Sequence, residues 1–196
     1  KEILIELRQA CISGKVVPMV CGSAFKNKGV QTMLDYVMEL LPSPMDRSNI
    51  VGTNPDTGEE VTRKPVTTDP FTALAFKIAT DPFVGRLCFI RAYAGKLDSG
   101  SYVLNTRSGN KERISRIFQM HANKQNAIDC LEAGDIGAVV GFKDIRTGDT
   151  LCDPNKPIVL ERISFPEPVI SLAIEPKTTV DQEKLGYALK RLTEEA

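Results

Sequence analysis

The side chains able to do chemistry are few and poorly placed for it. His121 is the only histidine, and no carboxylate or nucleophile is tied to it by spacing, so it reads as a turn residue rather than a general base. The five cysteines, Cys11, Cys21, Cys88, Cys130 and Cys152, are odd in number and contain no C-x-x-C pair. With a single histidine to join them they do not make a metal cluster. They read as reduced thiols packed in apolar runs, which suits a reducing cytoplasm. H-E-x-x-H, G-x-S-x-G and calcium-loop patterns are absent, and no two carboxylates stand out by spacing as an acid–base pair. The phosphate-handling patterns G-x-x-x-x-G-K-[ST], D-x-x-G and N-K-x-D are also missing. Asn123-Lys124-Gln125-Asn126 approaches the last of these but ends without the carboxylate that would read a guanine.

Two weaker candidates remain. The first is Gly22-Ser23-Ala24-Phe25, where small residues follow an apolar run and would let backbone N–H groups approach a flat ligand. By itself it is an ordinary strand-to-loop turn. The second is a basic cluster, Arg107, Lys111, Arg113 and Arg116, around Ser108-Gly109-Asn110. It reads either as a hairpin reaching RNA phosphates or as a solvated hairpin with charged edges. Lys plus Arg and Asp plus Glu number 25 each, so an electropositive surface has to be local. Phe83, Phe89 and Phe118 have spacing that suits a β core better than a platform for stacking bases.

The elements that would position these residues fall into three groups. Residues 1–45 read as helix–strand–helix. Ile3, Leu4, Leu7 and Cys11 share one helical face, Val16–Cys21 is a short strand, and Val30, Met33, Leu34, Val37, Leu40 and Leu41 form a second inward face. A single strand leaves its backbone groups unpaired, so the sheet it belongs to is expected upstream. Residues 46–69 read as a linker with a small hairpin at Asp56-Thr57-Gly58. From 70 to 162 the pattern is short β segments between Gly and Asp turns: Phe71–Thr80, Arg86–Tyr93, Tyr102–Asn105, Glu112–Phe118, Ile128–Leu131 and Ile136–Phe142. That spacing predicts a closed β-barrel, with Arg113 and Arg116 on opposite faces of one strand. From 163 to 196 a strand at Val169–Glu175 precedes a helix whose start is signalled by Thr179 and Gln182, with Leu185, Ala188, Leu189 and Leu192 on one face.

The fold class is therefore mainly β with α/β ends. A complete barrel is flanked by a truncated α/β piece, P-loop-type by the resemblance that follows, and by a truncated α+β domain. The opening at Lys1 without Met and the end at Ala196 within a helical pattern fit an internal fragment. No apolar run approaches a membrane span. The expectation is a monomer without a membrane partner.

VPMVCGSAFKNKGVQTMLDYVMELLPSP resembles the end of the GTPase domain in translational GTPases of the elongation factor G family. TDPFVGRLCFIRAYAGKLDSGSYVLN and AGDIGAVVGFKDIRTGDTLCD resemble that family's second domain, a translation-factor β-barrel. SFPEPVISLAIEPKTTVDQEKLGYALKRLTEE resembles the start of its third domain. The likeness runs through the whole chain in order. It implies that Ser23, Ala24 and Phe25 form the guanine-facing loop of the parent protein, with the Ala24 N–H donated to the base. It also implies a parent that uses GTP or GDP with Mg and binds the ribosome through small-subunit rRNA and ribosomal proteins. That parent moves tRNA and mRNA at the cost of GTP. The chain alone, lacking the phosphate motifs, is expected to need no cofactor and to be inactive. A ribosome-protection or release-factor relative, and a stand-alone RNA- or protein-binding barrel, are the competing readings.

Overall fold

The structure is a computed structural model and describes residues 2–46, 49–81, 84–122, 124–160 and 169–195. It divides into two compact units, Lys1–Ser48 and Asn49–Ala196.

In the first unit, α1 (Glu2–Ile12) and α2 (Val30–Leu40) are the regular elements. Arg8 fastens α1 to the end of α2. Its guanidinium donates to the carbonyls of Glu39 (2.9 Å) and Leu41 (3.1 Å) and pairs with the Asp46 carboxylate. Asp46 also accepts the Ser43 N–H, and this bond together with Arg8 holds its carboxyl below the usual carboxylate range. The strand expected over Val16–Cys21 does not form. A strand exists only when a neighbour takes up its N–H and C=O groups, and among the described residues none does. The inward face expected of α2 is mostly bare: Leu40 is buried, whereas Met33, Leu34, Val37 and Leu41 are exposed.

The second unit is mainly β. The strands β1 (Ile50–Thr53) and β2 (Glu60–Arg63) make the expected small hairpin. At its turn the Asn54 side chain accepts the N–H of Asp56 at 2.9 Å. The main sheet has eight antiparallel strands: β3 (Thr72–Asp81), β4 (Gly85–Ala94), β6 (Tyr102–Asn105), β7 (Lys111–Arg113), β8 (Arg116–His121), β9 (Lys124–Ile128), β11 (Ile136–Val140) and β12 (Thr150–Cys152). Their order is β7-β6-β12-β3-β4-β11-β8-β9, and β5 (Lys96–Asp98) pairs with β10 (Cys130–Glu132) in a separate ribbon. Only Ile114 and Ser115 separate β7, at one end of the sheet, from β8 near the other. Three residue steps span at most about 11 Å, so the sheet has to curl enough to bring the end of β7 beside the start of β8. Ile114 prolongs the β6–β7 ladder, its N–H donating to the Ser101 carbonyl and its carbonyl accepting the Gly100 N–H, while the Ser115 N–H donates to the Val140 carbonyl and so begins the β8–β11 ladder.

Strand alternation sorts the side chains. Cys88, Ile90, Val103, Ile117, Leu131, Val139, Ile145 and Leu151 fill one buried cluster. Leu87, Phe118, Ala138 and Val140 form another, with Phe89 and Met120 packed against it. Because Phe89 neighbours Ile90 and Phe118 neighbours Ile117, these two aromatics lie on the opposite face from the main core. They are core-like, as their spacing predicts, but in a satellite cluster. Phe83 lies outside the described residues.

The expected strand over Glu112–Phe118 is two strands broken at Ile114 and Ser115, and the one over Ile128–Leu131 is split between β9 and β10. The first break lets one chain segment serve β6 and then β11, and the second lets it leave β8 and pair with β5 in the separate ribbon. No strand forms over Val169–Glu175, where again no described neighbour pairs with it. The last helix, α3 (Thr179–Glu195), is capped one residue earlier than predicted. The Thr178 hydroxyl accepts the Asp181 N–H at 3.2 Å and donates to the Asp181 carboxylate at 2.7 Å. The first of these is the N-cap bond that takes up one orphan donor of the first turn, and the second holds the hydroxyl in place.

Candidate functional site

The Ser23–Phe25 segment is the tip of a tight loop leading into α2. Ser23 and Lys28 exchange two backbone hydrogen bonds, Ser23 N–H to Lys28 O at 2.9 Å and Lys28 N–H to Ser23 O at 3.0 Å. Asn27 N–H donates to Ala24 O at 3.0 Å, with Asn27 at φ 49. Gly29 closes the loop at φ 74, and a Cβ there would sit 3.0 Å from the Cys21 carbonyl, so this position requires glycine. The N–H groups of Ala24 and Phe25 donate to no described group, and the Phe25 ring is fully exposed. The loop therefore presents two adjacent free donors beside an uncovered aromatic. It offers nothing that could cradle phosphates, and no group of three or more His, Cys, Asp or Glu that could hold a metal exists among the described residues.

The basic cluster does not act as one group. Arg107 faces inward, its Nε donating to Asp149 and its Nη2 to Asp144, both at 2.8 Å. Asp149 is buried and also accepts from the Asn105 side chain (2.8 Å) and the Arg146 N–H (2.9 Å). This pairing raises the Arg107 pKa, and Arg107 in turn lowers that of Asp144. Lys111 and Arg113 stand exposed on β7 on either side of the buried Glu112, with Tyr102 directly across from Arg113. Arg116 is also exposed and lies 5.7 Å above the Phe118 ring. Lys143 and Arg146 are exposed on the loop between β11 and β12, whose backbone at residues 143 and 144 is tied to Glu112 of β7. Periodicity missed them because the loop is irregular. The signal that could have found them is the turn-rich GFKDIRTGD string itself, with cations set among glycines and aspartates.

The remaining chemistry-bearing side chains stay apart. His121 ends β8 next to Ala122, a turn residue with φ 52, and is exposed. The cysteines are all free. Cys88 is buried, which pushes its thiol up to about 12.

Residues 85–152 match the family of elongation factor Tu domain 2, and residues 165–196 match elongation factor G, domain III. Elongation factor G of Cytophaga hutchinsonii is 73% identical over 99% of this chain. The chain belongs to the elongation factor G family. Elongation factor G of Amoebophilus asiaticus, 61% identical over 100% of the chain, agrees. The chain spans 28% of the length of each of these relatives. A crystal structure of a Thermus thermophilus protein shares the fold, with TM-score 0.72 and 24% identity over 98% of this chain and 26% of that one. In this elongation factor G segment the stretch matched to domain 2 holds seven of the eight strands of the main sheet, from β4 to β12, and β3 precedes it. Among the described residues no helix is long and apolar enough to cross a membrane.

Proposed function

We propose that this chain serves as the connecting segment of a ribosomal translocation GTPase of the elongation factor G type, and that it is inert towards GTP by itself. In the complete factor the Ser23–Phe25 loop covers the guanine base. The Ala24 N–H donates to the exocyclic oxygen, and the bridge between Ser23 and Lys28 holds the loop. The observation that carries this reading is the pair of unengaged N–H groups at Ala24 and Phe25, on a loop where the N–H groups of Ser23, Lys26, Asn27 and Lys28 are all engaged. One or two such bonds give roughly 1–3 kcal/mol net, whereas millimolar binding already needs about 4 kcal/mol. The phosphates and Mg are held elsewhere in the factor, which is why the isolated loop falls short.

The barrel is the ribosome-facing part of this segment and meets small-subunit rRNA through Lys111 and Arg113, with Arg116 beside them. Arg107 serves the internal ion pairs instead. The complete factor works in the cytoplasm as a monomer and couples GTP hydrolysis to the movement of tRNA and mRNA.

Calorimetric titration of the chain with GDP and GTP in the presence of Mg, beside a full-length factor, tests the first part. No heat and no hydrolysis from the chain, with binding by the full-length factor, is the expected result. Micromolar binding by the chain would reveal a phosphate site among these residues and overturn the reading.

A further inference from the structure

The segment between β11 and β12, residues 141–149, has no regular structure, yet two buried carboxylates hold it. Glu112 reaches from β7 and accepts the backbone N–H of Lys143 at 3.0 Å and of Asp144 at 3.3 Å. Asp149 closes the other end by accepting Arg146 N–H, Asn105 Nδ2 and Arg107 Nε. Arg86 adds a bond to the Ile145 carbonyl at 2.7 Å, and Asn105 adds one to the Asp144 carbonyl at 3.0 Å. Gly141, at φ 114, starts the segment against β7, where a Cβ would come within 2.9 Å of the Arg113 carbonyl. Glu112 and Asp149 are 4% exposed. Burying two carboxylates is costly unless their acceptor positions are filled, and here what fills them is largely the backbone of this one loop.

What the held loop displays is cationic. Lys143 and Arg146 point into solvent, Lys111 and Arg113 do so from the strand it is tied to, and none of the four makes an ion pair among the described residues. The nearby carboxylates are already used: Glu112 by backbone N–H groups, Asp144 and Asp149 by Arg107.

We propose that residues 141–149 form a preset phosphate-binding loop, in which Lys143 and Arg146 extend the Lys111–Arg113 strip into one surface for the sugar–phosphate backbone of double-stranded RNA, with Glu112 as its positioning residue. The proposal rests on the rRNA contact proposed above. RNA helices are recognised by shape and backbone rather than by groove-reading side chains, and a rigid two-sided strip of unpaired cations suits that mode. Fixing the loop beforehand removes the ordering cost at the moment of binding.

The test uses the 196-residue chain and a fluorescein-labelled RNA duplex, with anisotropy read across a KCl series and amide exchange read at residues 143 and 144. Lys143→Ala with Arg146→Ala is expected to weaken binding about tenfold or more and to lower the log–log salt slope by about 2, one per lost phosphate contact. Amide protection should stay unchanged in that variant. Glu112→Gln keeps all four cations. It is expected to speed exchange at the two amides and weaken binding several-fold while leaving the slope in place, a combination that a change in charge alone does not give.

Wild-type binding that is lost with Lys111→Ala and Arg113→Ala but unaffected by the loop variants would overturn this proposal and leave the rRNA reading standing. No duplex binding by the wild-type chain at low salt, or binding to anionic phospholipid vesicles in its place, would overturn both. A Glu112→Gln chain that loosens the two amides yet binds RNA normally would remove the positioning role, and so would one that loses the sheet altogether.

Discussion

In α2, Met33, Leu34 and Val37 keep 41%, 53% and 44% of their surface in water, while in β4 Cys88, Ile90 and Ala92 keep 1%, 0% and 0%. Both stretches carry a clear apolar pattern, one with helical and one with strand periodicity. The difference is that β4 finds hydrogen-bonding neighbours in β3 and β11 and apolar counterparts for Cys88, Ile90 and Ala92 in the main core, whereas α2 keeps an apolar face that no described residue covers. Periodicity tells which side of an element wants to be covered. Whether anything covers it is a property of the surrounding chain.

The sharpest way to break this contrast is to cut into both regions equally. Ile90→Ala should destabilise the second unit by about 2–5 kcal/mol in urea unfolding, since the vacated space cannot be filled from neighbouring strands. Asp149→Ala should follow at about 2 kcal/mol, less than the loss of a fully buried pair because the Arg107 side chain is 28% exposed. It should also free residues 141–149 to faster amide exchange.

Alkali gives a smaller effect that is specific to the second unit. The Cys88 thiol is raised to about 12 in the fold from a reference of 9.0. Above pH 9 the unfolded chain therefore gives up its proton first, and stability present below pH 9 is lost between pH 9 and 12. Iodoacetamide at about pH 8, below the ordinary thiol range, should label the exposed Cys21 and spare Cys88 and Cys152 until urea unfolds the sheet. Smallest of all, Val37→Ala should change stability by less than about 0.5 kcal/mol. A loss comparable to that of Ile90→Ala would mean that the α2 face is covered in solution and that the contrast does not hold.

Much of the second unit is legible in residue order, and the reasons are local. Alternation places Ile90, Val103 and Val139 inside, and turn residues place the hairpin at Asp56-Thr57-Gly58. Where the reading fails, distant partners decide. Val16–Cys21 has strand composition but no partner among the described residues. Glu112 sits in a strand-like string as one more charged residue, and nothing near it in sequence announces that it grips a loop about thirty residues away. Arg107, Lys111, Arg113 and Arg116 look alike as letters. Only the arrangement of Asp144 and Asp149 separates the inward one from the others. The Ser23–Phe25 loop is visible as small residues after an apolar run, but its free N–H groups depend on which turn bonds form, and a tripeptide does not encode that.

The pairing of Thr53 with Val159 has a mechanical consequence. Each donates its N–H to the other's carbonyl, at 2.9 and 2.7 Å, which brings the two backbones to about 5.5 Å. The hundred-odd residues between them thus hang from the chain as a side-mounted bead whose entry and exit are clipped together. Tension travelling along the polypeptide crosses from one clipped residue to the other and bypasses the strands. A pull that would unravel an in-line domain reaches this one only after the clip has opened.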